Sequence, residues 1–126
     1  MSNPSPSRAV VRRADAVERR TVDAGTATET QVLLGPPEGV PHFFLRRFVM
    51  GAGGGMPRHT NTVEHEQYVL RGRARIVIGD ETHDVGPGHV LYIPAGAPHS
   101  YAVVEAPFEF LCIVPNAPDR IEILDR

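Results

Sequence analysis

Clusters of glycine and proline cut this chain at short intervals: Gly35-Pro36-Pro37, residues 51–55, Gly72, Gly79-Asp80, Gly86-Pro87-Gly88 and Pro94-Ala95-Gly96. Both residue types interrupt helices and favour turns. The intervening segments are short enough for strands, and none carries a ten-residue helical period. Candidate strands are residues 28–34, 43–50, 56–59, 66–71, 74–78, 81–84, 90–93, 99–103 and 108–114. Arg73, Arg75 and Val77 alternate with Ala74, Ile76 and Ile78, as a strand with one wet and one dry face requires. The prediction is an all-β sandwich or barrel. Without an internal repeat, the chain reads as one barrel and not a duplicated one.

A chain of 126 residues suits one core. Residues 27–126 are expected to form the barrel and residues 1–26 an N-terminal tail or edge strand. Within that tail, residues 1–8 read as a disordered leader. Residues 10–20 are ambiguous between a helical turn at residues 14–19 and an edge strand at Val10-Val11. The formal charge of -2 is unevenly spread. Residues 1–20 carry Arg8, Arg12, Arg13, Arg19 and Arg20 against Asp15 and Glu18, which leaves the remainder acidic. An acidic barrel argues against a nucleic-acid surface. The basic tail reads as solvated, or as a strand exchanged with a partner. The lone Cys112 rules out an internal disulfide and fits a reducing cytoplasm. No apolar run reaches membrane-spanning length and no secretory signal opens the chain. The expected partners are a small-molecule substrate and a second copy in a homodimer, which would cover open sheet edges, with no nucleic acid and no membrane.

The chemistry concentrates in two stretches, residues 53–72 and 88–103. Side chains two apart on a strand share a face, so His59 and Asn61 can point the same way. His65 begins the next strand after a short connection. His99 follows the Pro94-Ala95-Gly96-Ala97-Pro98 corner. Three imidazoles and an amide oxygen from three strands can therefore converge in a barrel mouth. Imidazole suits zinc, copper, iron and nickel, and manganese is a further candidate.

These stretches resemble the two cupin motifs, G-x5-H-x-H-x3-4-E-x6-G and G-x5-P-x-G-x2-H-x3-N. Gly53, His59 and Gly72 match the first; Gly88, Pro94, Gly96 and His99 match the second. The resemblance implies a cupin jelly-roll β-barrel (double-stranded β-helix). Three positions depart from the pattern: Asn61 replaces the second histidine, His65 the glutamate, and Val103 the final asparagine. The His65 change is similar to a subgroup of small cupins that bind manganese through four histidines. That likeness implies metal ligands at His59, Asn61, His65 and His99, holding a divalent ion (Mn, Fe, Cu, Ni or Zn). A neutral donor set leaves the cation's charge uncompensated and favours an anionic, chelating substrate. Asn61 either ligates weakly or yields its place to water.

His42, His83 and His89 have simpler readings as surface or core residues. Glu64 and Glu66 should face away from His65, although a bent connection would let Glu64 replace Asn61. Gln67 shares the parity of His65 and is expected, with Tyr101, to line the substrate cavity. Tyr92 and Tyr101 are candidate acids, with packing as the simpler role. Cys112 reads as a small buried hydrophobe. No catalytic acid–base pair is assignable. The leading functional reading is a metal-dependent oxidoreductase of dioxygenase type. A non-redox isomerase or lyase and a non-catalytic binding module are the rivals.

Overall fold

The computed structural model describes residues 8–124. All of the expected leader but Arg8 lies outside them. After a 3₁₀ turn at Ala14–Ala16, the chain runs through β1 (Arg20–Thr21) and β2 (Thr26–Leu34), then a second turn at Pro36–Glu38. There follow β3 (Phe43–Asn61), β4 (His65–Ile78), β5 (Glu81–Val85), β6 (Val90–Ile93), β7 (His99–Pro115) and β8 (Ile121–Ile123). Every pairing is antiparallel. The order is β1-β2-β3-β7-β4-β5, with β6 also on β4 and β8 also on β3. The all-β prediction holds. Val10-Val11 forms no strand, and the turn at Ala14–Ala16 is shorter than the expected helical segment.

Three predicted breaks are not breaks. Residues 51–55 are not a loop but part of β3, whose register against β7 shifts between Met50 and Gly55. Gly72 lies inside β4, and the segment around Pro107 inside β7. Glycine within a strand removes side-chain bulk and lets a sheet bend or bulge without ending it. At Gly55, φ is 153° and a Cβ would stand 2.0 Å from the Tyr101 carbonyl oxygen. Only glycine lets β3 approach β7 there. Gly72, at φ 76°, likewise meets the Pro107 carbonyl oxygen at 2.1 Å. The resulting long, bent strands β3, β4 and β7 pass from one end of the barrel to the other.

The core is built from the inward residues of those strands. Met50, Val69, Ile76, Phe108, Phe110 and Cys112 are all nearly or fully buried. Across residues 61–70 burial alternates without exception, with Asn61, Val63, His65, Gln67 and Val69 inside. Two register rungs cross the opposite face of that region. One joins Leu45, Ile113, Glu66 and Tyr92; the next joins Arg47, Leu111, Tyr68 and Val90. Among the described residues no helix is long and apolar enough to cross a membrane.

Candidate functional site

The register of β3 against β7 sets His59 opposite His99, and their ring centroids lie 4.1 Å apart. His65 enters from the first position of β4, where it pairs with Ile93 of β6. Its ring centroid is 5.8 Å from that of His99. Asn61 ends β3 two residues beyond His59, on the same face. All four side chains are buried and line one cavity of about 240 Å³, together with Gln67 and Tyr101.

Each ring is held differently. The Nδ1 of His59 donates to the Pro57 carbonyl oxygen at 2.7 Å, and that of His99 to the Ala97 carbonyl oxygen at 2.9 Å. A proton fixed on Nδ1 leaves the lone pair on Nε2. For His99 that Nε2 is buried without a partner, and both ring nitrogens of His65 are in the same state. Burial lowers the pKa of all three rings, taking His65 to about 3 and His99 to about 4. The charge of Arg46 adds to the lowering at His65. The imidazoles are therefore neutral at pH 7, the state in which they donate to a cation.

Asn61 is oriented by a residue that sequence reasoning did not single out. Its Nδ2 donates to Asp119 Oδ2 at 3.0 Å. A carboxylate only accepts, so the amide nitrogen must face Asp119 and Oδ1 is turned the other way. That Oδ1 is buried and unpartnered. Asp119 is itself fixed by the Thr62 backbone N–H, which donates to Oδ1 at 3.1 Å. Nothing in the sequence marks Asp119, which lies in the connection to β8 far from either motif. Glu64, the alternative to Asn61, is exposed.

A column of rings forms one wall. The Arg46 guanidinium carbon lies 5.0 Å from the Phe48 centroid, and Phe48 stacks on Phe110 at 5.1 Å. Phe110 stacks on Tyr101 at 5.4 Å, and Tyr101 meets His99 edge to face at 5.8 Å. The Tyr101 hydroxyl meets the Gln67 amide at both ends, with Nε2 at 2.8 Å as donor and Oε1 at 3.1 Å as acceptor. Burial pushes its pKa well up, so it stays protonated. Arg46 was also missed, although it shares the parity of Phe48 and Met50 on β3, which was the available signal. Tyr92 is 60% exposed on the outer face, which removes it as a candidate acid. Cys112 is fully buried as expected, with its sulfur 3.3 Å from Arg46 Nη2. His83 and His89 lie outside this cluster, where they bond to Glu81 and to the Gly86 backbone. His42 is exposed. Among the described residues no group of three or more His, Cys, Asp or Glu side chains is disposed, as it stands, to hold a metal ion. The site is instead three imidazoles and one amide gathered around a shared space.

The polyketide cyclase RemF of Streptomyces resistomycificus superposes with a TM-score of 0.83 at 30% identity, covering 94% of this chain and 88% of that one. A cupin-2 domain protein of Rhodospirillum rubrum superposes at 0.80 with 22% identity, covering 98% and 85%. An uncharacterized Streptomyces coelicolor protein is 33% identical over 54 residues, 43% of this chain, and the match spans only 51% of that relative. The cupin domain family matches residues 46–114, the span that carries His59, Asn61, His65 and His99. With the barrel, the paired motifs and that match in agreement, the chain belongs to the cupin family.

Proposed function

We propose that this cupin is a metal-dependent enzyme that uses Lewis-acid chemistry on a small, anionic, polyoxygenated substrate, as a cyclisation, isomerisation or elimination requires. One observation carries the reading: the Asn61 Oδ1, both His65 nitrogens and the His99 Nε2 are buried, unpartnered and on the lining of one cavity. Leaving such atoms unpaired costs about 1–3 kcal/mol each. A divalent cation accepting from the amide oxygen, the His99 Nε2 and one His65 nitrogen removes most of that cost. Neutral imidazoles and an amide oxygen fit zinc, nickel, copper, iron or manganese.

When bound, the ion supplies polarisation of a carbonyl and stabilisation of the enolate derived from it. The protein's own side chains do the rest. His59 and His99 keep their protons on Nδ1 and present Nε2. Asp119 holds the Asn61 amide with its oxygen turned away from the carboxylate. Phe48, Met50 and Phe110 give the cavity an apolar lining that disfavours water. The protonated Tyr101 hydroxyl can give its proton to a substrate oxygen in place of Gln67 Oε1 while it accepts from Gln67 Nε2.

Two observations favour this reading over the dioxygenase. The non-haem iron oxygenase arrangement includes a carboxylate ligand, whereas His65 occupies the motif's glutamate position here. Asp119, on the same cavity lining, is already committed to Asn61 and Thr62. The similar structure with 30% identity is that of a polyketide cyclase. The test measures metal content of the purified protein, then deuterium exchange at the central carbon of acetylacetone beside oxygen uptake. Metal-dependent exchange without oxygen uptake is expected. Oxygen consumed in step with substrate loss would restore the oxidoreductase. Neither activity in a metal-free protein would leave a binding module.

We also infer that the working unit is a homodimer. Phe43, Tyr68, Val90, Tyr92 and Ile113 are 41–72% exposed on the outer face of the barrel, and apolar surface of that extent commonly marks an interface.

A further inference from the structure

Two arginines stand side by side on β3 and meet different fates. Arg47 forms an ion pair with Glu109 at 3.1 Å. Arg46 shares the face of Phe48 and Met50 and lines the cavity. Its Nη2 donates to the Cys112 sulfur at 3.3 Å, and its Nε, like that of Arg47, is buried without a partner. Among the described residues no carboxylate forms an ion pair with it. A guanidinium keeps its charge at any physiological pH. Thiol sulfur is a weak acceptor, and the ring face of Phe48 compensates only part of a half-buried positive charge. Asp119, the acidic residue on the cavity lining, is occupied by Asn61 and Thr62.

We propose that Arg46 is the anion-binding arm of this site and takes a carboxylate of the substrate, with Nε among the donors. The inference rests on the substrate class proposed above and narrows it. A planar carboxylate matches the guanidinium fork. From Arg46 the rings of Phe48, Phe110 and Tyr101 lead to His99 in a stacked column, with Phe110 and Tyr101 only 5° from parallel. Together these side chains make an apolar wall between Arg46 and the histidines. The substrate is therefore a carboxylic acid with an apolar body, with chelating oxygens at the histidine end and its carboxylate at Arg46.

Benzoate, with benzamide as its uncharged counterpart, tests this on the full chain by NMR. Benzoate should shift the Arg46 Nε–H resonance and bind at least about tenfold more tightly than benzamide, the preference expected of a charge-assisted contact in a low-dielectric cavity. Arg46→Gln should bring the two ligands to within about twofold and leave zinc affinity no weaker than the parent's, since it removes a positive charge that acts on His65. Arg46→Lys should keep part of the preference, because the charge survives and the fork does not. Should Arg46→Gln fail to fold, the Nε–H shift in the parent chain and the Arg46→Lys series decide. A parent protein that binds zinc but shows no preference for benzoate, or no Nε–H shift, overturns the arm alone. An Arg46-dependent preference in a chain that does not bind zinc keeps the arm and removes the Lewis-acid reading.

Discussion

In the second half of β4 Ala74 and Ile76 are buried and Arg73 and Arg75 exposed, whereas the first half partly inverts that arrangement. Inside lie His65 and Gln67; outside lie Tyr68 and Leu70, 49% and 41% exposed. An antiparallel sheet ordinarily turns its apolar residues to the core and its polar ones to water. Folding alone gives no reason for the reverse. Polar atoms buried without partners cost stability, and exposed aromatic rings forgo the gain of burial. Under the proposed function the inner face is shaped by what it binds, and under the proposed dimer the outer face by what covers it.

The largest expected effect separates the faces most sharply. His65→Ala and His99→Ala should each lower zinc affinity by more than about 100-fold, beyond the range typical of changes outside the ligand shell. Tyr68→Ala, the next outward residue after Glu66, should leave zinc affinity unchanged. Isothermal titration with zinc measures both. Equal losses on the two faces would show that the histidines act through folding and not ligation.

Acid should act on the inner face as well. His65 and His99 have folded pKa values of about 3 and about 4, against 6.5 for the free side chain. Between those limits the unfolded chain binds more protons, so stability falls as pH drops below about 6.5. At pH 5 these two rings account for an uptake of about two protons on unfolding. Urea unfolding of chelator-treated protein from pH 7 to pH 4.5 gives the slope. The double variant His65→Ala/His99→Ala should flatten it. On the outer face Glu66 is shifted the other way, to about 7, through its hydrogen bond with Glu64.

Next in size is the outer face itself. Val90→Asp with Tyr92→Asp places charge on two adjacent rungs of the exposed apolar band. Light scattering should find the parent dimeric and the variant monomeric, with zinc affinity retained. A monomeric parent would remove the partner from the comparison and leave the exposed rings unexplained.

How far the sequence revealed these faces follows from period and distance. The period-two pattern of β4 and the two motifs were readable, because each depends on residues close together in the chain. So were His59, His65 and His99 as a group. The glycines of β3 and β4 were misread as separators, since the same residue that ends a strand also lets one bend. At Gly55 the deciding contact is the Tyr101 carbonyl, which belongs to β7. Arg46 was legible by parity with Phe48 and Met50. Its lack of a counter-charge was not, because that depends on every element facing the cavity. Asp119 was not legible at all, since β8 carries no motif and its docking along β3 is purely tertiary.

The smallest effect probes that tertiary contact. Asp119→Asn keeps the shape of the side chain but replaces an acceptor-only carboxylate with an amide that can donate from one side. The Asn61 amide is then no longer obliged to face it with nitrogen, and Oδ1 can turn out of the cavity. Zinc affinity should fall about tenfold, the lower end of the range for residues that orient ligands. Thermal stability should drop by about 1 kcal/mol, as hydrogen bonds to Thr62 weaken with the loss of charge. Asn61→Ala should produce a similar loss in affinity, and the double variant should lose no more than the larger single one. Additive losses would mean that Asp119 acts on the cation directly, by charge across the cavity mouth, and that the amide of Asn61 faces the cavity without its help.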